Sequence, residues 1–382
     1  MEGPGRVPPR PRDAAVRGPM ARRTLGVRMA TETLFPPHAD RPEADALAAT
    51  GAALTAVAER TRAVGPWRSG AMATLARHGL LAGFVPADRG GCGASEPAVT
   101  AALVAVAERC LTTALALTQW AAAVRIIAAA DHPARDRLLP RLAAGLEFTT
   151  VGIAQVTTSR QHHGRPALGA VADGNAWRLE GLCPWVTGAD ACDTLVVGAA
   201  LAEGGRGFFL VEREAAGLEI GPPFEMLALS ASHTGPVRFQ GVRPAAVLAV
   251  GGNPPRTGGL ATTALAVGAT RAAVGLLRGE AAARPALLPV VAGLDAEEGA
   301  IHADLLAAAS GAVEQADRDR LRAAATSLAV RAAQAALTAC KGAGFVVGHP
   351  AERLVREAHF FLVWSCPEGV SATLMCELAG IG

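Results

Sequence analysis

Over about 149–250 the hydrophobic pattern of this sequence changes period, and the stretches on either side share a different one. In the middle, "PVRFQGV" sets Val237, Phe239 and Val242 against Arg238 and Gln240. "DTLVVGAALAEGGRGFFLVER" reads as two apolar strands joined at Gly204-Gly205. Strand side chains alternate between faces, so this pattern, bounded by turn residues, predicts an antiparallel β-domain. Before it, residues 42–144 are Ala- and Leu-rich with charges at intervals, as in "ADALAATGAALTAVAERTRAV" and "AALVAVAERCLTTALALTQWAAAVRIIAAA", which is a helical pattern. Between those two helices "GLLAGFVPADRGGCGASEPAV" reads as a loop, broken by Pro86, Gly90, Gly91 and Gly93. After the strands come "GLATTALAVGATRAAVGLLRG", "AEEGAIHADLLAAASGAVEQADRD", "RLRAAATSLAVRAAQAALTAC" and "AERLVREAHFFLVW", helical again. This order predicts an α+β multidomain chain: an N-terminal helical domain over 36–148, a central antiparallel, β-barrel-like domain over 149–250 and a C-terminal helical bundle over 251–382.

Composition removes several classes of function. At 382 residues the chain is long enough for two or three packed subdomains, at ~100–200 residues per domain. With 51% hydrophobic and 18% charged residues it is composed like a folded protein. A net charge of +2 is too near balance to imply a nucleic-acid or acidic-membrane partner. Most of the local excess lies in "MEGPGRVPPRPRDAAVRGPMARRTLGVRM", which cannot bury enough apolar surface to offset its ordering entropy. It reads as a disordered basic tail over 1–35, with Met20 or Met29 as an alternative start, and it lacks the apolar core of a signal peptide. Seven cysteines without a CxxC pair point to a reducing, cytoplasmic compartment and away from a zinc site or disulfide framework. The apolar run over 101–130 carries Glu108, Arg109 and Arg125, so it reads as a buried helix pair and not as a membrane span.

Four segments carry a more specific signal: "HGLLAGFVPADRGGCGAS" (78–95), "WRLEGLCPWVTGADACDTLVV" (177–197), "LALSASHTGPVRFQGVRPAAVL" (227–248) and "KGAGFVVGHPAERLVREA" (341–358). Each is weak alone, because glycines and a Trp-x-Thr recur by chance. In this order and at these separations they resemble the acyl-CoA dehydrogenase family over about 47–380. The resemblance implies FAD held between the β-domain and the C-terminal helices, in a homodimer or homotetramer. It implies an acyl thioester substrate on CoA or a carrier protein, and α,β-dehydrogenation as the reaction. In that chemistry the flavin takes a hydride from the β-carbon and a glutamate takes the α-proton, with an electron acceptor flavoprotein as a partner.

By the same resemblance, Trp185 and Thr187 match the family's Trp-x-Thr against the flavin ring. Gly152, Ile153 and Ala154 match the backbone that lines its pyrimidine ring. Gly342, Gly344 and Phe345 match the glycine turn that approaches the adenine half of FAD in a neighbouring subunit. Read without the resemblance, Trp185 and Thr187 are ordinary β-core residues, and the glycines form a helix C-cap, Gly being the residue that accepts φ > 0.

The sequence also departs from the family pattern. "GIAQVTTSRQHHGRP" puts Ala154 and Gln155 where the family has Thr-Glu, and its Gly-Ser-Asp is missing. The adjacent His162 and His163 read as a solvated loop and not as a metal pair. A helix over 260–278 is followed by "RGEAAARPALLPVVAG" in place of the family's Arg-x-x-Phe-Gly. The largest departure is the base. Counting without gaps from Arg356-Glu357-Ala358, the family glutamate falls on Ser365, whose hydroxyl is far too weak a base unaided. The other family position for the base aligns near Ala261 or Thr262, again without a carboxylate. A three-residue insertion at Ser365-Cys366-Pro367 puts Glu368-Gly369 on the family's Glu-Gly instead. Glu368 equally suits helix initiation, since it follows Pro367 and an acidic first turn is favoured by the helix dipole. Two further functions fit the same letters: a flavin-dependent monooxygenase on this fold, which needs no α-proton base, and a non-catalytic acyl or partner-binding protein that has lost the cofactor.

Overall fold

A computed structural model of the chain describes residues 68–157, 167–174, 176–250, 259–311 and 314–381, all within the unit Glu32–Gly382. The tail over 1–35, the helix quoted from 44–64 and the His162-His163 loop lie outside the described residues.

After two short helical segments, Ala73–Arg77 and Leu80–Gly83, the second inside the stretch expected to be a loop, come α1 (Glu96–Arg109), α2 (Leu111–Ala129) and α3 (Ala134–Ala143). Ser95 starts α1 by accepting a hydrogen bond from the Ala98 amide, and Pro97 sits in the first turn, where a missing N–H leaves nothing unpaired. The apolar run over 101–130 is a helix pair, broken by the extended backbone of a single residue, Cys110 (φ −154°, ψ 99°). The break turns the chain so that Trp120, Val124 and Ile127 of α2 bury fully, as do Ala102 and Val104 of α1.

The strands are β1 (Thr149–Gly152), β2 (Leu168–Asp173), β3 (Ala176–Thr187), β4 (Thr194–Leu201), β5 (Arg206–Glu212), β6 (Leu218–Ile220), β7 (Thr234–Val242) and β8 (Ala246–Val250). They form one sheet in the order β6-β7-β3-β2-β4-β5-β8, with β1 also paired to β4. The pairs β2–β3, β3–β7, β4–β5, β5–β8 and β6–β7 are antiparallel, as the alternating pattern implies. β1 and β2 both run parallel to β4, a feature that local alternation does not encode. The β4–β5 hairpin turns at Gly204 and Gly205, with φ +92° and +88°, where a side chain would strain the backbone.

The chain closes with α4 (Gly259–Ala283), α5 (Leu288–Ala309), α6 (Gln315–Cys340), α7 (Pro350–Phe360) and α8 (Glu368–Leu378). α4 is the hub, touching α1, α5, α6 and α7. Its Gly268 permits the crossing with α1, because a Cβ there would lie 2.5 Å from both Ala107 Cβ and the Val104 carbonyl oxygen. By length and composition α2 and α4 could cross a membrane, but 72% and 67% of their apolar windows are buried inside the protein, as in core helices. One apolar cluster runs through helices and sheet from Met72 to Phe361. α8 rests instead on a small cluster of its own, Val370 and Leu374 against Ala323 of α6.

Candidate functional site

The end of β1 and the end of β3 meet in a buried seam. Thr150 donates its hydroxyl to the Thr187 carbonyl at 2.7 Å. Gly152 lies so close to β3 that a Cβ would stand 2.9 Å from Cys183 Sγ and 3.3 Å from Val186 Cγ2. Only glycine keeps the two strands at this distance. Burial pushes the Cys183 thiol up to about 12, so it stays a protonated, inert packing group.

Ile153 is buried directly after β1, and Ala154 opens a single helical turn (Ala154–Thr157). Gln155, which replaces a family residue, enters the seam. Its Nε2 donates to the Gly152 carbonyl at 2.9 Å and the Gly198 carbonyl at 2.6 Å, with Cys183 Sγ at 3.2 Å. Two carbonyls can only accept, so the amide orientation is fixed. Its Oε1 is left buried without a donor among the described residues.

Beside the seam Trp185 is 53% exposed and packs on Phe224 with ring centroids 4.8 Å apart. A core reading of Trp185 is therefore corrected: β3 and β7 shift register between Cys183 and Val186, and the indole lies on the surface. Thr187 is buried, and its hydroxyl begins a chain: 2.9 Å to Thr234 Oγ1, then 2.8 Å on to Ser232 Oγ. The Gly188 amide donates to the carbonyls of Ser232 and His233, pinning the turn before β7 to the end of β3. His233 Nδ1 lies 2.6 Å from Asp190 Oδ2.

The C-terminal helices reach the same region through α7. Arg356 pairs with Glu352, whose carboxyl this hydrogen bond holds below the usual range, and donates to the Leu227 carbonyl in the loop that also carries Phe224. Glu357, the only carboxylate in the buried class among the described residues, is paired with Arg353 and is committed to structure.

The expected base positions lie just beyond α7. Ser365 ends a turn over 361–365, exposed and at φ 46°. Glu368 is the first residue of α8, exposed, and its carboxylate has no hydrogen-bond or ion-pair partner among the described residues; Ser371 donates only to its carbonyl. Beneath this turn is a residue that the motif reading passed over. Arg322 of α6 is 4% exposed and donates from Nη2 to the carbonyls of Phe361 (3.3 Å) and Trp364 (3.2 Å), with its guanidinium 5.7 Å over the Phe361 ring. Burial pulls it down to about 10. A periodicity count would have found it, since Arg322 shares the buried stripe of Ala325, Ala329 and Ala333.

Gly342, Gly344 and Phe345 form the short 3₁₀ turn Lys341–Phe345 between α6 and α7. The C-cap reading of these glycines is corrected: the positive φ belongs to Lys341 (55°), and Gly344 is needed because a Cβ there would meet Cys340 Cβ at 2.7 Å. Phe345, Val346 and Val347 are exposed, Val347 by 87%. A second correction concerns α4. It runs to Ala283, not Arg278, because Gly279-Glu280-Ala281-Ala282-Ala283 continues the helix and Pro285 stops it. Arg284 is then the first residue after the helix, followed by Leu287 and Leu288 in place of Phe-Gly, and it is engaged by Glu280 and the Ala339 carbonyl.

The four non-glycine residues with positive φ among the described ones are Leu229, His233, Lys341 and Ser365. Leu229 and His233 flank the short turn Ser230–Ser232 that ends in the hydroxyl chain, Lys341 opens the glycine turn, and Ser365 stands at the ungapped base position. Backbone held in this region is over-determined by its surroundings and concentrates at sites of function.

A helical chain with an inserted sheet recurs among solved proteins. The chain superposes on butyryl-CoA dehydrogenase from Megasphaera elsdenii with a TM-score of 0.73 at 16% identity, covering 89% of this chain and 100% of that one. It matches a glutaryl-CoA dehydrogenase from Mycobacterium smegmatis in complex with FADH2 (TM-score 0.73, 19% identity, 88% and 95% covered). It also matches KijD3 in complex with FMN and a dTDP-linked amino keto sugar (TM-score 0.70, 21% identity, 92% and 97% covered). No protein-family model and no curated protein matches the sequence. The fold is that of the acyl-CoA dehydrogenases, carried by a strongly divergent sequence.

Proposed function

We propose that this chain is a flavin-dependent oxidoreductase acting on an acyl thioester carried by CoA or a carrier protein, with α,β-dehydrogenation as its reaction. The observation that carries the reading is the seam beside Trp185. A flavin ring offers a flat aromatic face, one imide N–H and a ring nitrogen that accepts. The half-exposed Trp185, the Gln155 Oε1 without a donor and the Thr187 hydroxyl supply a complement to each. Gly152, Ile153 and Ala154 are the backbone beside it. These residues fit the ring half of the cofactor.

The dinucleotide form, FAD, follows from the resemblance. Its adenine half would meet Gly342, Gly344 and Phe345 of a second copy in a homodimer or homotetramer, where the exposed Phe345 corner would be covered. Arg284 is already engaged and does not supply the phosphate contact.

When bound, the flavin supplies hydride acceptance from the β-carbon. The Glu368 carboxylate takes the α-proton, leaving an enoyl thioester, and an electron acceptor flavoprotein removes the two electrons. A specific observation favours a second reading on the same site: Ser365, not a carboxylate, occupies the turn above Arg322. A flavin-dependent monooxygenase would need no base there.

The test is reconstitution with FAD and with FMN, read by visible absorption and by anaerobic bleaching with acyl thioesters. Trp185→Ala is expected to weaken flavin binding at least about tenfold with little loss of stability, because an exposed ring contributes little to the core. Glu368→Gln should keep the flavin and lose bleaching by about 10²–10⁴. Oxygen uptake without thioester bleaching would move the assignment to the monooxygenase. Failure to take up either flavin would leave the non-catalytic acyl or partner-binding protein.

A further inference from the structure

Arg322 is a buried cation without a counter-ion among the described residues. A guanidinium has five N–H bonds, and here only the two on Nη2 find acceptors, both at long range. Nε and Nη1, buried, donate to nothing among the described residues. No carboxylate lies within ion-pair distance of Arg322 there, while every other ion-paired arginine of the described chain is at least a quarter exposed on its side chain. A buried charge with unfilled donors costs several kcal/mol unless an anion completes it.

The wall nearest this cation is the segment that leads into α8. The Cys366 thiol feels the Arg322 charge. Two residues on, at most about 7 Å along the chain, Glu368 carries a carboxylate with no partner among the described residues. The segment between them carries Ser365 at positive φ and Pro367 without a backbone N–H, and α8 is fastened to α6 by Val370 and Leu374 on Ala323 and by Ser327 donating to Glu377.

We propose that Arg322 is a carboxylate-binding site whose ligand is Glu368, and that it draws this residue from solvent into the place where the reading above needs a base. The three residues Ser365, Cys366 and Pro367 then loop outward, which is the insertion register of the sequence. Arg322 is a positioning residue, acting through Glu368. The assignment of Glu368 as the base rests on the proposed function; the pairing itself does not, because both groups belong to the apo chain. A substrate bearing a second carboxylate would offer the same chemistry to Arg322, so the experiment separates the two sources.

The experiment is a double-mutant cycle of Arg322→Met and Glu368→Gln on the full chain, read first by hydrogen exchange of the amides over 365–371 without flavin. Methionine fills the buried volume and loses the carbonyl contacts equally in both backgrounds, so those losses cancel. The pairing predicts at least about threefold faster exchange in each single variant and no further change when Glu368→Gln is added to Arg322→Met. Arg322→Lys should restore most of the protection. Independent, additive effects, or none, would overturn the pairing. If instead Arg322→Met abolishes a preference for a dicarboxylic over a monocarboxylic acyl thioester, with no coupling to position 368, the ligand is the substrate and the Glu368 assignment falls. A coupled cycle in a protein that binds no flavin would sink the proposed function and leave the pairing standing.

Discussion

Arg356 donates from Nη1 to the carbonyl oxygen of Leu227 at 2.7 Å, joining positions 129 residues apart in the chain. Leu227 lies in the loop whose Phe224 supports Trp185, so this bond fastens the C-terminal helices to the aromatic face of the site. Arg356→Ala removes this hydrogen bond together with the part-exposed ion pair to Glu352 and should cost about 1–2 kcal/mol, measured by urea unfolding. It should also raise the quenching of tryptophan fluorescence by iodide, and that rise should vanish in a Trp185→Phe background.

Gly152→Ala tests the strand approach. The added methyl would meet Cys183 Sγ at 2.9 Å inside a packed seam, so overpacking should cost about 1–3 kcal/mol. Removing the sulfur with Cys183→Ala should return part of that loss. Unfolding midpoints of the two single variants and the double variant measure it, and additive losses would place the strain elsewhere.

Gln155 is the pin of the seam. Gln155→Ala would leave the buried carbonyls of Gly152 and Gly198 without this donor and should cost about 2–4 kcal/mol by denaturant titration. Gln155→Glu should be worse at neutral pH, since it sets a carboxylate against two carbonyl oxygens, and should recover as acid protonates it.

The thiol of Cys183 gives a pH signature. It is raised from the ordinary value of 9.0 to about 12. Above pH 9 the unfolded chain loses this proton while the folded chain keeps it, so the folded state binds more protons and stability falls as pH rises from 9 toward 12. Below pH 9 the group contributes no slope. Cys183→Ala should flatten the decline between pH 9 and 11, compared by thermal unfolding against wild type.

Much of the architecture was legible from local pattern. The change of period at 149–250 located the sheet, Gly204-Gly205 marked the hairpin, and the charges in the 101–130 run distinguished buried helices from a membrane span. What stayed hidden depends on contacts between distant segments. The parallel partnerships of β1 and β2 with β4 carry no local signature. Gln155 looked like a lost motif letter because its three partners come from β1, β3 and β4. Trp185 and Thr187 were picked out as a motif, but the hydroxyl chain to Ser232 needs the β3–β7 register. Arg322 belongs to no short motif, and its place on the buried stripe of α6 is visible only in the helical period. The glycines at 342 and 344 were noted, but for the wrong conformational reason, since the strained backbone falls on Lys341.

The pairing of β1 with β4 sets Thr149 opposite Thr194, and the C-terminal helices are tied to this region only when Arg356 reaches Leu227. A ribosome adding about 5–20 residues per second needs about 10–40 s to pass from Thr150 to Arg356. During that interval the loop that carries Phe224 and Leu227 waits for its C-terminal contact. β1 spends the first part of the wait without its β4 partner, an unpaired strand edge of the kind prone to pairing with other chains. The helix it packs on, α2, is made before it with only α3 between, so the chain emerges with a cover for this strand already in hand.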